Sequence, residues 1–234
     1  MEAVKEILDK ISSREIFVRI KRQKFAYSLA NAIETVIAIG KSRTSAFVID
    51  RNNEFAYTNM VRWLMGDEEM RCLDPTTKQV IPGRLDAGIY VAGGTGTGKS
   101  WLLEIMSALC VVDEPQLFVG EQAVPLKWVN YRADDICDAY AKEGTIERYK
   151  SAVVLGIQDL GSEPRETLHM GNRVQVLAAL LEHRGDRTDC ITLISSNYPM
   201  AHKSLEEIYG TRVVSRLSQM CNYFEIKGAD RRKK

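Results

Sequence analysis

With 234 residues, 45% hydrophobic and 27% charged, the chain is long enough to bury a full core, and its composition excludes disordered and collagen-like classes. Lys+Arg number 32 against 31 Asp+Glu, so the formal charge of +1 excludes a constitutive DNA coat. Any nucleic-acid contact must come from a local patch. Charge is in fact unevenly spread: residues 1–45 carry nine basic and five acidic side chains, residues 111–170 six and eleven, and residues 211–234 seven and two.

The five cysteines, Cys72, Cys110, Cys137, Cys190 and Cys221, form an odd set without a C-x-x-C pair, and the three histidines do not cluster near them. This predicts reduced thiols and no zinc site. No apolar run reaches the ~18 residues that a membrane helix needs. The start, with Glu2, Lys5, Glu6 and Asp9, also lacks the apolar stretch of a secretion signal. The expectation is a cytoplasmic protein with no membrane partner.

Residues 3–40 show helical spacing, with Val4, Ile7, Leu8 and Ile11, then Phe25, Leu29, Ile33 and Ile37, stopped by Gly40. Ser12 followed by Glu15 fits a capping box, which predicts two helices meeting near Ser12-Ser13. The second helix carries Arg14, Arg19, Lys21, Arg22 and Lys24 near its start, either as a solvated face or as a contact to DNA or a partner. Asp67, Glu68 and Glu69, then Pro75 and Pro82-Gly83, mark a loop. Strand-like runs then alternate with helical stretches: 88–92 and 99–112, 126–131 and 133–150, 152–157 and 171–184, 190–195 and 203–220. That rhythm predicts an α/β fold with a mostly parallel sheet flanked by helices. A small helical N-terminal region, residues 1–50, would precede the main domain, residues 51–234.

After the apolar strand Ile89-Tyr90-Val91-Ala92 comes Gly93-Gly94-Thr95-Gly96-Thr97-Gly98-Lys99-Ser100, which satisfies G-x-x-x-x-G-K-[ST] at every fixed position. Such glycines let backbone N–H groups turn inward around phosphates, Lys99 reaches the β- and γ-phosphates, and the Ser100 hydroxyl suits magnesium. The helix that follows points its positive end at the same place. Strand, loop and helix stand in the required order, so nucleotide binding is the firmest functional expectation.

An ATPase on this scaffold needs a carboxylate at a neighbouring strand tip for the magnesium shell and a second acid to orient the attacking water. The run 152–157 ends in Gln158-Asp159-Leu160-Gly161, where the first polar position, normally the magnesium acid, is the neutral Gln158. Either Asp159 takes the metal role, with Glu163 assisting, or hydrolysis is weak. Ile191 to Ser195 ends at Ser196-Asn197, and Asn197 is either a contact to the γ-phosphate or water, or a plain turn residue before Tyr198-Pro199. Arg212 and Arg216, four apart, share one helix face, and serve either surface salt bridges or the γ-phosphate of a neighbouring subunit's nucleotide.

Together, Gly93 to Ser100, Gln158 to Gly161, Ser196-Asn197 and Gly210-x-Arg212-x-x-Ser215-Arg216-Leu217 resemble the DnaC/IstB-like branch of the AAA+ P-loop NTPases, over roughly residues 50–232. The resemblance implies an ATP- and Mg2+-dependent ATPase that forms homo-oligomers in ATP, holds DNA, with the single-stranded form favoured, and delivers a replicative helicase or a transposase. Carried over by position, Lys99 and Ser100 are the Walker A ligands, Asp159 the second Walker B acid and Asn197 the sensor 1 residue. Arg212 and Arg216 lie in the segment that supplies the arginine finger. Two departures stand out: Gln158 in place of the first Walker B acid, and an N-terminal region shorter than that common in bacterial loaders. The basic tail, Lys227 and Arg231 to Lys234, is expected either as a disordered DNA-facing end or as a solubilising one, without a sensor 2 arginine. The competing readings are an IstB-like transposition helper, a nucleotide-dependent scaffold that scarcely hydrolyses, and a small-molecule kinase, for which no Arg-rich lid segment is visible.

Overall fold

The computed structural model describes residues 18–232. At its centre are four strands with no exposed face, as strands covered on both sides are: β4 (Gly88–Gly93), β8 (Val154–Leu160), β11 (Ile191–Ser196) and β12 (Cys221–Ile226). With β7 (Asn130–Arg132) they form a five-strand parallel array in the order β12-β4-β11-β8-β7. Short β2 (Arg71–Leu73) and β3 (Val80–Pro82) extend it antiparallel beyond β12, giving seven strands.

The period-two alternation of β4 divides the interior. Ile89 and Val91 face a core with α1 (Leu29–Arg43), α2 (Glu54–Leu64) and α3 (Lys99–Asp113), through Val36, Trp63 and Leu102. Tyr90 and Ala92 face the other layer: α4 (Ala133–Glu143), α5 (Glu147–Ser151), α6 (Val176–Gly185) and α7 (Lys203–Met220), through Ile136, Tyr149, Leu180 and Val213. Because β11 lies between β4 and β8, the chain leaves β4, enters the sheet again at β7, three places away, and works back through β8 to β11 beside β4. Ligand crevices form at the carboxyl ends of strands around such a crossing. Among the described residues no helix is long and apolar enough to cross a membrane.

Several elements differ from the sequence expectation. The first expected helix and the Ser12 capping box, with Arg14, lie outside the described residues. The second helix is displaced: Ile20–Arg22 form β1, paired antiparallel with β5 (Gln116–Val119), and the helix opens only at Leu29, where Ser28 accepts from the Asn31 amide. Edge pairing to β5, which buries Ile20, overrides the local helical spacing. Arg22 therefore has no solvated helix face; its guanidinium donates to the carbonyls of Trp63 (2.7 Å) and Leu64 (2.6 Å) and stacks on the Trp63 ring. Burial pushes its pKa down to about 10. Gly40 does not stop α1, which continues to Arg43, and the Phe47 ring occupies the space where a side chain would stand.

Of the run 126–131 only the end, from Asn130, is strand. The expected helix 171–184 begins at Val176, since β9 (Thr167–His169) and β10 (Asn172–Val174) form a hairpin whose two loop residues, Met170 and Gly171, both have positive φ. A second hairpin, β5 with β6 (Gln122–Pro125), turns at Gly120-Glu121. The helix 203–220 is kinked at Gly210, whose φ of 82° and ψ of 159° lie outside the range open to other residues.

Arg184, on α6, is 1% exposed and ties that helix to the entry of β8 and β11. Its guanidinium donates to the Thr192 hydroxyl (2.9 Å) and to the carbonyls of Tyr149 (2.9 Å), Ala152 (2.7 Å) and Ile191 (2.6 Å). Desolvation lowers its pKa, and these acceptors are what make a buried cation tolerable. Arg184→Met should lower unfolding stability by about 3 kcal/mol, because buried carbonyls left without a donor cost ~1–3 kcal/mol each; urea denaturation checks this.

Candidate functional site

Residues 93–100 wrap from the end of β4 to the start of α3, where Gly98 takes the N-cap position at a φ of 102°. Lys99 as a residue is only 5% exposed, and its ammonium donates to Gly94 O at 2.8 Å and to Asn197 Oδ1 at 2.8 Å. Burial lowers the Lys99 pKa, opposed by the negative charge of Asp159. An ammonium has three N–H donors, so these two bonds orient a third toward an anion. Asn197 is thus more than a turn residue, since its side chain joins the tip of β11 to the phosphate loop.

A cleft of about 750 Å³ opens over the loop and is lined by Thr95 to Trp101, Phe47, Tyr57, Asp159, Asn197 and Arg231, among others. Ser100 and Asp159 both border it, and hydroxyl and carboxylate oxygens are the hard donors that magnesium takes. Among the described residues no group of three or more His, Cys, Asp or Glu side chains is placed to hold a metal. The donor set therefore suits a magnesium ion that completes its shell with phosphate oxygens and water.

The acids of the second strand tip divide. Asp159 has a φ of 57°, a costly conformation for a residue with a side chain and one that collects at functional sites. Its N–H donates to Ser195 Oγ (3.1 Å), and its carboxylate takes Arg132 Nη1 at 3.3 Å. Gln158 is turned away from the cleft, with Nε2 donating to Glu104 Oε1 at 3.0 Å. Glu163 does not assist the metal position: it accepts from Gly161 N–H (2.8 Å) and from the Tyr209 hydroxyl, closing the turn after β8.

Two features escaped the sequence reading. Arg132, at the tip of β7 and paired in register with Gln158, borders the cleft. Its only sequence mark is a position at the carboxyl end of a strand beside β8. The basic tail, as far as Arg232, folds back over the phosphate loop instead of standing free. Arg231 N–H donates to Gly96 O (2.9 Å), and its guanidinium holds both oxygens of Asp50 at 2.9 Å, while Arg231 and Arg232 line the cleft. Gly96, at a φ of 76°, must lack a side chain, because a Cβ there would run into the Asp230 carboxylate.

Arg212 and Arg216 do not line this cleft. Beyond the Gly210 kink they lie along α6, Arg212 Nε at 3.6 Å from Glu182 and Arg216 paired with Asp186. Arg212 keeps 68% of its side chain exposed and Arg216 only 29%.

The parallel sheet and the glycine-rich loop between β4 and α3 together define an α/β fold of P-loop type. Among solved structures, the fold is similar to that of a protein provisionally described as a primosome component from Streptococcus pyogenes serotype M3, with a TM-score of 0.53 and 20% identity over 78% of this chain and 84% of that one. It is also similar to the DnaC helicase loader, with a TM-score of 0.50 and 16% identity over 77% of this chain and 93% of that one. The chain thus shares the fold of these two proteins. No protein-family model matches the sequence, and no curated protein matches it.

Asn197→Ala should weaken nucleotide binding about tenfold, the equivalent of one charge-assisted hydrogen bond, as read by titration with a fluorescent ATP analogue. Arg231→Ala should speed amide hydrogen exchange at residues 228–232 and at 48–50 together, because one ion pair ties the two segments. The Asp50 carboxyl is raised by burial but more strongly lowered by the Asn52 amide and the Arg231 guanidinium, and so stands below its ordinary value. Its contribution is therefore complete above ~4, the unfolded carboxylate value, and should be lost as pH falls through the lower folded one. Exchange measured down a pH series should show the two segments loosening together.

Proposed function

We propose that this chain is an ATP-dependent, DNA-associated AAA+ ATPase that acts as a replicative helicase loader. The observation that carries this is the Lys99 ammonium held between Gly94 O and Asn197 Oδ1 at the mouth of a cleft bordered by Ser100 and Asp159, on the fold of DnaC-like proteins. In this reading the amides of 93–100 and Lys99 seat the phosphates of ATP, and Ser100 and Asp159 hold magnesium. That ion would neutralise charge developing on the transferred phosphoryl group. Asp159 also accepts a hydrogen bond from the attacking water, with its carboxylate steadied by Arg132. Asn197 keeps Lys99 aimed, and Arg231 and Arg232 add positive charge from the tail.

Arg212 and Arg216 stand away from their own chain's cleft and act on the nucleotide of an adjacent subunit. This makes hydrolysis a property of a homo-oligomer formed in ATP. Residues 1–50 supply the contact to the helicase, and the basic ends of the chain meet DNA, with the single strand favoured. The protein works in the cytoplasm.

The test combines light scattering with ATPase assays. Expected are larger assemblies in ATP, hydrolysis that rises with protein concentration and with single-stranded DNA, and co-purification of the host's replicative helicase. Arg212→Ala or Arg216→Ala should cost roughly a hundredfold or more in hydrolysis while sparing ATP binding, in line with arginine fingers elsewhere. Rates independent of concentration and untouched by both substitutions would overturn the oligomeric mechanism. Capture of a transposase in place of the helicase would move the reading to a transposition helper.

A further inference from the structure

Tyr209 closes the first half of α7, just before the kink, and is 7% exposed. Its hydroxyl donates to Glu163 Oε1, while Glu163 Oε2 accepts the Gly161 N–H at 2.8 Å. Burial and the Glu163 charge push the Tyr209 pKa up, so the hydroxyl remains a donor. The turn that Glu163 closes is the one that begins at Asp159, whose carbonyl accepts the Ser162 N–H (3.0 Å) and the Ser162 hydroxyl (2.7 Å). Gly161, in the middle of it, lies against the Tyr198 ring with no room for a side chain. The first half of α7 is thus moored to the tip of β8. We propose that Tyr209 is a positioning residue for Arg212 and Arg216, its bond to Glu163 setting where the second half of α7 presents them. The inference rests on the reading above, in which these arginines serve the nucleotide of an adjacent subunit.

Gly210 follows at once, and nothing packs against the place where its side chain would stand. The kink therefore takes its position from the residue before it. Beyond the kink, Val213 and Leu217 are buried in the core shared with α6, and the stem of Arg216 runs over Gly185. These contacts hold the second half of α7 against α6. Arg212 comes two residues after the kink, mostly exposed, and its 3.6 Å approach to Glu182 is too weak to fix its place. Its aim depends on how the helix leaves Gly210, and thus on the anchor at Tyr209. Small errors of aim matter, because misplacing a catalytic group by ~1 Å can cost on the order of a hundredfold in rate.

The test measures hydrolysis by the full chain and, separately, affinity for a fluorescent ATP analogue. Tyr209→Phe keeps the ring and removes the bond. It should slow hydrolysis by roughly tenfold, a partial misplacement on that scale, and leave the analogue's affinity unchanged. A slower rate could also arise within the variant's own cleft, through the Asp159 turn, and mixing separates the two. Asp159→Asn subunits lack hydrolysis of their own but keep Tyr209 and both arginines. Mixed in equal amounts with Tyr209→Phe subunits in ATP, they should give a rate above the sum of the two separate rates, since intact arginines then face intact clefts. A merely structural role for the bond would bring no such rescue. Gly210→Ala should show the same pattern, because an alanine there meets no neighbour and only the direction of the chain is strained; it decides if Tyr209→Phe fails to fold. Unchanged hydrolysis, a weakened affinity for the analogue, or a mixture no faster than its parts would overturn the proposal. If Arg212→Ala and Arg216→Ala themselves leave hydrolysis intact, the oligomeric reading falls and this inference with it. If they slow it and Tyr209→Phe does not, only this inference falls.

Discussion

The Lys99 ammonium is the joint on which the site depends. A cation stripped of most of its hydration is tolerable only when hydrogen bonds take the place of water, and its two partners come from different elements, the loop after β4 and the tip of β11. That requires the two strands to be neighbours and their ends to be level. The parallel register supplies both, with Ser196 opposite Ala92. The order of the sheet is therefore a condition of the chemistry: β11 lies between β4 and β8, so its tip reaches the phosphate loop on one side and the strained Asp159 turn on the other, where Ser195 Oγ accepts the Asp159 amide.

What could be read from the sequence was what local spacing encodes. The phosphate loop has fixed positions within eight residues, and β4, β8 and β11 announce themselves by apolar runs that end in polar residues or glycine. The helical spacing of 29–43 was visible too, but its boundary was not. A three-residue strand such as β1 is too short to display a period of two, and only the distant edge of β5 decides it. Strand β12 went unrecognised because its burial comes from pairing with β4, some 130 residues earlier, and nothing local separates it from the helix it follows. The fold of the tail over Gly96 belongs to the same class, since Arg231 reads as one more basic residue until Asp50 is placed beside it. The two arginines of α7 were correctly put on one helix face, but the spacing could not say that the Gly210 kink turns that face toward α6.

Two departures from local rules meet at the cleft: Asp159 holds a left-handed backbone and Lys99 is a largely buried cation. Others lie elsewhere and have structural reasons: Arg22 and Arg184 are buried cations held by backbone carbonyls, and Met170 takes its positive φ in a hairpin loop. What sets the cleft apart is that its exceptions fall on the residues that line it, as a functional site imposes.

The clasp between Asp50 and Arg231 joins residues 181 positions apart across one rim of the cleft. Its consequence lies in the order in which the protein is made. The phosphate loop is made well over a hundred residues before Arg231, and this rim of the cleft is not closed until Arg231 meets Asp50. A nascent chain thus carries its phosphate-loop motif long before the clasp over it can form, and contacts this distant in sequence form late in folding.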